Sequence, residues 1–410
     1  MRASIFLLAS LLLLGGCESA DRVLTNTERV LGSRSGRTVL DIATGKDPKQ
    51  ILKERVDAYQ RDPEAVLRDL RTIQRDFNTL MTALTGNVRK TWGEKEVKVP
   101  EQKKYVKYTQ NYMSRTIVDF DNGTILVETL DDKAPKESLK NAIVTTLLTP
   151  DDPRSVDLFS DKPVTLTSDR SPYLLGLVLD QEGQPIRTPA QAEAFAAFSL
   201  ESAKARPVDQ NGVAKQALIA ELKMVANFSN KQADKYRVTV TRFAEQFKIS
   251  PSLIFAVIRT ESNFNPFAVS SAPAFGLMQL VPTSGGRDAY RKAKGKDTIP
   301  TREYLFDPEN NIELGSAYLN VLSYNLLEQV DNEVSREYCV ISAYNTGTGN
   351  VFKAFASNST SAVNQINGLE PPAVYDRLRT NLPYQETRDY LVKVVGFRKQ
   401  FVSLADGPGR

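Results

Sequence analysis

From residue 66 to residue 84 the apolar positions Val66, Leu70, Ile73, Phe77, Leu80 and Leu84 alternate steps of four and three, the spacing of one face of an α-helix. Too few heptads follow one another for a coiled coil, so the pattern predicts a long helix laid on the next domain. Asp47-Pro48 and Asp62-Pro63 read as successive helix starts ahead of it, and residues 47–91 are assigned to this helical segment. From Trp92 the period shortens. Residues 105–108, 116–120 and 124–128 read as strands, the last two joined through Asp121-Asn122-Gly123, a hairpin signal. A helix is predicted over 136–148, a strand over 173–179 and an alanine-rich helix over 190–205. Residues 215–226 fit either period; we read them as a strand returning to the first sheet. Beyond Asn230 the pattern is helical: Tyr236, Val240, Phe243 and Phe247 form one stripe, and further helices are predicted over 312–330, 333–344 and 386–401. The pattern predicts an α+β N-terminal domain over 92–229 followed by an all-α domain over 230–405.

Within the second domain one carboxylate stands in an unusual place. Ser250-Pro251 is a helix start, because a serine oxygen can accept from an orphan N–H and proline suits the first helical position. Ile254, Val257, Ile258 and Glu261 then share one face, and Asn265-Pro266 stops the helix. A carboxyl on an apolar stripe is desolvated, which raises its pKa toward the value a general acid needs near neutral pH. An exposed glutamate near a helix end is the plain alternative.

Composition narrows the chemistry. The 410 residues carry 41% hydrophobic and 25% charged positions, an ordinary globular balance, with a net charge of only +4, which gives no argument for nucleic acid. The chain has no histidine and two cysteines, Cys17 and Cys339. Triads that use histidine, Cys–His nucleophiles, His-ligated metals and Cys-rich zinc sites are therefore excluded. Carboxylate chemistry moves up, with no metal and no cofactor expected.

Met1-Arg2 leads into the apolar run 5–14, too short to span a bilayer, which reads as a signal peptide over 1–16. Its end, Leu14-Gly15-Gly16-Cys17, resembles a lipoprotein lipobox. That resemblance implies lipidation at Cys17 and a membrane anchor without a spanning helix. Glu18 in place of aspartate favours the periplasmic face of the outer membrane, and residues 17–46 read as a flexible tether.

Three further segments accompany Glu261: Gly276-Leu277-Met278-Gln279 before Pro282, Ala343-Tyr344-Asn345-Thr346-Gly347-Thr348-Gly349, and Glu386-Thr387-Arg388-Asp389-Tyr390. Singly, each has a structural reading: a glycine C-cap, a solvated amide, a packing methionine, a core tyrosine. In this order, with Glu261-Ser262-Asn263-Phe264-Asn265-Pro266, they resemble the soluble-lytic-transglycosylase catalytic domain family, whose fold is all-α and goose-lysozyme-like. The resemblance continues upstream to a membrane-bound branch of that family through Trp92-Gly93, 105–109, 121–129, 155–158 and 183–187.

What the resemblance implies is specific. Glu261 would be the sole acid and then base, cleaving between N-acetylmuramic acid and N-acetylglucosamine of peptidoglycan glycan strands to leave a 1,6-anhydro sugar. Ser270, Gln279, Tyr344 and Asn345 would hold the sugar, Tyr390 would lie near Glu261, and Met278 would pack on a sugar face or on the helix of Glu261. Departures fall at Ala272, where relatives place a second serine, at Asn263, usually serine, and at Thr346. Two other readings stay open: a muramidase using water and a second carboxylate from among Asp288, Asp297, Glu303, Asp307, Glu309 and Glu313, and a non-catalytic peptidoglycan-binding lipoprotein.

Overall fold

The computed structural model describes residues 64–166 and 170–405. The leader, Cys17, the tether and the Asp47-Pro48 helix start lie outside the described residues. Among the described residues the chain divides into two units between Thr82 and Ala83. Helix α1, Glu64–Trp92, runs through the divide. In the second unit its stripe continues as Leu84, Val88 and Trp92, all fully buried.

Five antiparallel strands form the first sheet: β1 (Lys104–Thr109), β2 (Ser114–Asp119), β3 (Thr124–Thr129), β4 (Lys204–Gln210) and β5 (Val213–Lys223), in the order β1-β2-β3-β5-β4. The segment whose period was ambiguous is thus a strand. It pairs with β3 through Ile125↔Leu222 and Val127↔Ala220, placing its apolar residues on the buried face. Helix α2 (Pro135–Leu148) lies across β2, β3 and β5, and α3 (Pro189–Glu201) packs against it. Strand β4 was not predicted. It is an edge strand, mostly exposed, and carries Pro207, which an edge tolerates because no inner ladder needs its N–H. The strand predicted over 173–179 is corrected: the segment turns on itself, with Leu175 bridging Val178 and Gly176 at φ +73°.

The remaining elements are helical. They are α4 (Phe228–Phe247), α5 (Pro251–Glu261), α6 (Gly285–Lys294), α7 (Arg302–Phe306), α8 (Pro308–Val321), α9 (Glu333–Thr346), α10 (Thr348–Lys353), α11 (Ser359–Asn367), α12 (Pro371–Asn381) and α13 (Gln385–Ala405). Tyr236, Val240, Phe243 and Phe247 are buried along α4 as their spacing requires. The helix predicted over 312–330 ends earlier. At Leu322–Leu326 the hydrogen bonds widen to a π-turn, Leu327 N–H donating to Leu322 C=O at 3.0 Å.

Helix α5 is the hub, packed against α4, α8 and α13. Leu253 through Ile258 are all buried, so this helix is apolar on every side. Its start differs from expectation: Ser250 makes no capping bond and its hydroxyl instead lies 2.8 Å from that of Ser252. The two domains meet in an aromatic cluster, with Phe267 at 4.8 Å from Tyr105 and 5.1 Å from Tyr173, and in the Arg154–Asp307 ion pair at 3.2 Å.

Candidate active site

Glu261 is the last residue of α5 and is only 8% exposed. Because α5 is enclosed, its final carboxyl is taken out of water, and burial pushes its pKa up to about 8. The Tyr390 hydroxyl donates to Oε1 at 2.8 Å and pulls the value down, Glu386 raises it, and Lys103 lowers it. Tyr390 comes from the second turn of α13. Burial and the neighbouring Glu261 raise the pKa of both Tyr390 and Tyr344 well above the ordinary tyrosine value, so both remain donors at neutral pH.

The chain after Glu261 is held in a conformation that side chains rarely adopt. Asn263 and Phe264 have φ of +48° and +62°, and a bulky residue there stores strain, which clusters at functional sites. Packing holds it: Phe264 is fully buried among Tyr236, Phe255 and Phe401. Ser262 hydroxyl donates to Leu277 C=O at 2.8 Å, tying this turn to the Gly276–Gln279 segment.

That segment hangs on a residue not singled out from the sequence. Asn311, on α8 and fully buried, accepts from Met278 N–H at 2.8 Å and donates to Phe275 and Leu305 carbonyls at 2.8 and 2.7 Å. The available signal was an amide inside the apolar stripe that includes Ile312 and Gly315. Gly276 has φ +75°, and a Cβ there would stand 2.4 Å from Leu305 O. Gly276→Ala is therefore expected to destabilise the fold by about 2–3 kcal/mol, read as a loss of Tm; an unchanged Tm would contradict this role.

The predicted site residues divide. Tyr344 donates to Met278 C=O at 2.8 Å and its ring lies 5.4 Å from Tyr318. Asn345 accepts from the Thr387 hydroxyl at 2.6 Å, which explains the threonine that opens α13. Gln279, at φ +47° and 7% exposed, donates to Gly276 C=O at 2.9 Å, while its Oε1 is buried with no protein partner. Ser270 bonds within its own turn, to Ala272 C=O and from Ala274 N–H. Met278 is corrected: its side chain is fully buried, and its Sδ fills the space that a Cβ on Gly315 would take, so it packs on α8 and offers no surface to a sugar.

The six acids held open as second carboxylates are engaged elsewhere. Asp297 pairs with Arg287 and Asp288 with Arg291, Glu313 with Lys294, Glu303 with Arg302, Asp307 with Arg154 and Glu309 with Arg242. The carboxylate that acts on Glu261 is the exposed Glu386.

Two family models match the chain. Residues 70–235 fit "Membrane-bound lytic murein transglycosylase C, N-terminal domain", and residues 239–367 fit "Transglycosylase SLT domain". A membrane-bound lytic murein transglycosylase C from Yersinia enterocolitica is 42% identical over 342 residues, 83% of this chain and 93% of that protein. The protein of that name from Shigella sonnei is 41% identical over 79% of this chain and 89% of its own length. A solved structure, an inactive mutant of the lytic transglycosylase Slt from Pseudomonas aeruginosa, aligns over 42% of this chain and 25% of that one, at 28% identity and a TM-score of 0.33. On the strength of both family models and the 42% and 41% identities to the Yersinia and Shigella proteins, the chain belongs to the membrane-bound lytic murein transglycosylase C family.

Proposed function

We propose that this chain is a lytic transglycosylase that cleaves the β-1,4 bond between N-acetylmuramic acid and N-acetylglucosamine in peptidoglycan, using Glu261 alone. The observation that carries the reading is a buried carboxyl, hydrogen-bonded by Tyr390 at 2.8 Å, whose pKa burial raises to about 8 and on which no second buried carboxylate acts among the described residues. Most glycoside hydrolases need an acid and a second carboxylate at fixed separation. Here Glu261 gives its proton to the glycosidic oxygen as the bond to C1 breaks, and the C1 centre acquires oxocarbenium character. The resulting carboxylate, held by the Tyr390 hydroxyl, then takes the proton of the muramoyl C6 hydroxyl as that oxygen closes on C1. The products are a free C4 hydroxyl and a 1,6-anhydro ring; no water enters. Gln279, with its unpartnered Oε1, and the Tyr344–Asn345 pair are the groups we assign to the sugar's hydroxyl and acetamido functions.

Lipidated Cys17, outside the described residues, would anchor the enzyme at the periplasmic face of the outer membrane. No helix among the described residues is long and apolar enough to cross a membrane.

Mass spectrometry of muropeptides released from purified peptidoglycan tests the reaction class. Anhydro products, one water lighter than hydrolysis products, are expected. Products of full mass would mean a muramidase, and no release would mean a binding protein.

Tyr390→Phe removes a bond that favours the Glu261 carboxylate. Turnover should fall roughly 10- to 100-fold, the worth of one hydrogen bond to a charged group, and the alkaline limb of the pH profile should move up. A limb that moved down would contradict the donor role.

A further inference from the structure

The turn that carries Glu261 is gripped from the other domain. Asn263 Nδ2 donates to the Phe120 carbonyl and, at 3.2 Å, to Asp121 Oδ1, both in the β2–β3 turn. Asn265 Nδ2 donates to Gln102 C=O at 3.1 Å, and Val269 N–H lies 3.5 Å from Glu101 C=O. The β2–β3 turn is itself fixed, because Asp119 accepts from Asp121 and Asn122 N–H at 2.9 and 3.0 Å. Lys103 ties the two gripping segments together through its 3.3 Å pair with Asp121. Asn263 is 1% exposed, two residues from Glu261, in the left-handed region. A left-handed turn at the end of a helix needs an external hold to keep one geometry. Tyr390 of α13 bonds the carboxyl itself, Ser262 and Phe264 hold the turn from within the helical domain, and the Asn263 and Asn265 amides add a hold from the N-terminal domain.

We propose that Asn263 is a positioning residue through which the β2–β3 turn of the N-terminal domain fixes the Glu261 turn in its catalytic geometry, making that domain a working part of the active site. Asparagine suits the place twice, since it tolerates a left-handed φ and its amide reaches across to the turn. A serine hydroxyl is shorter than this amide by one heavy atom, so serine at this position gives up the reach.

The charged and titratable groups acting on Glu261 are Tyr390 and Glu386 from α13, Tyr344 from α9 and Lys103 from the N-terminal domain. The test uses two variants of the full-length protein. Asn263→Gly adopts the left-handed backbone without steric strain and deletes the amide; Asn263→Asp keeps the shape but cannot donate as a carboxylate. For both, kcat on soluble glycan fragments is expected to fall about tenfold or more with KM within about twofold, because a misplaced acid affects the transition state rather than binding. In Asn263→Gly the alkaline limb of the kcat profile should also move to lower pH as the loosened turn admits water to Glu261; in Asn263→Asp the added negative charge opposes that shift, so the limb is read from the glycine variant. A core variant such as Val374→Ala serves as control for stability loss alone and should leave the limb unmoved. Wild-type kcat in both Asn263 variants with an unmoved limb in Asn263→Gly, or a rate loss that merely follows Tm as in the control, would overturn the proposal. The inference rests on Glu261 being the acid; turnover retained by Glu261→Gln would remove that reading, whereas wild-type behaviour of the Asn263 variants would remove only the grip.

Discussion

Glu261→Gln is expected to lower peptidoglycan turnover by about 10³-fold or more, since it removes the group proposed to give and then take the proton, and general acid–base catalysis alone contributes about 10²–10⁴-fold. The same substitution should stabilise the protein at alkaline pH. The folded-state pKa of Glu261 lies near 8, above the ordinary carboxyl value of 4.5. Between those values the native state binds the proton more tightly than the unfolded chain, so wild-type stability falls as pH rises through this window. Glutamine keeps the acceptor for Tyr390 and has no charge to desolvate. Above pH 8 the variant should therefore exceed the wild type by on the order of 4 kcal/mol, and the two should converge below pH 4.5. Denaturant unfolding at pH 5 and pH 9 separates this from a simple packing effect, which would not depend on pH. A variant less stable than wild type at pH 9 would contradict a buried, charge-averse carboxyl at this site.

The second large effect lies in the N-terminal domain. Arg115, only 1% exposed, donates to Glu128 at 2.6 Å and to the Glu96 carboxylate at 2.8 Å, and its guanidinium sits 3.9 Å from the centre of the Trp92 ring. Arg206 closes the group by binding the same two glutamates at 2.8 and 2.9 Å. Two cations and two carboxylates thus balance around the end of α1 and β2, β3 and β4. Arg115→Ala strips a partner from a buried carboxylate and is expected to cost about 3–5 kcal/mol. Trp92 is the chain's one tryptophan, so its fluorescence reports unfolding of this region directly. A double variant, Arg115→Met with Glu128→Leu, should recover part of the loss because it removes both charges. No recovery would mean that shape rather than charge balance dominates.

Much of this was legible in the sequence because local pattern and tertiary packing agreed. The α4 stripe is buried as spaced, the Asn-Gly hairpin joins β2 to β3, and the segments around Glu261, Gln279, Tyr344 and Tyr390 do approach one another. Where the reading departed, a tertiary cause can be named. The alanine-rich run after Pro189 hid the onset of β4, whose edge position leaves it little apolar alternation. Tyr173 looked like a strand residue, yet its ring serves the Tyr105–Phe267 cluster between domains. Met278 sits in a signature motif, but Gly315 on another helix makes room for it. Asn263 showed only as an unusual residue, because its partner Phe120 lies 143 positions away and is met through a backbone carbonyl, which leaves no mark on residue type.

The proposed reaction requires the buried carboxyl at the end of α5 to be protonated near neutral pH. The most direct test of this requirement is a ¹³C NMR titration of glutamate-labelled protein, with Glu261 assigned by the signal missing from Glu261→Gln. A carboxyl that titrates near pH 8 is the expected result. Titration near the ordinary value of 4.5 would place a charged carboxylate there at neutral pH and contradict its role as the acid.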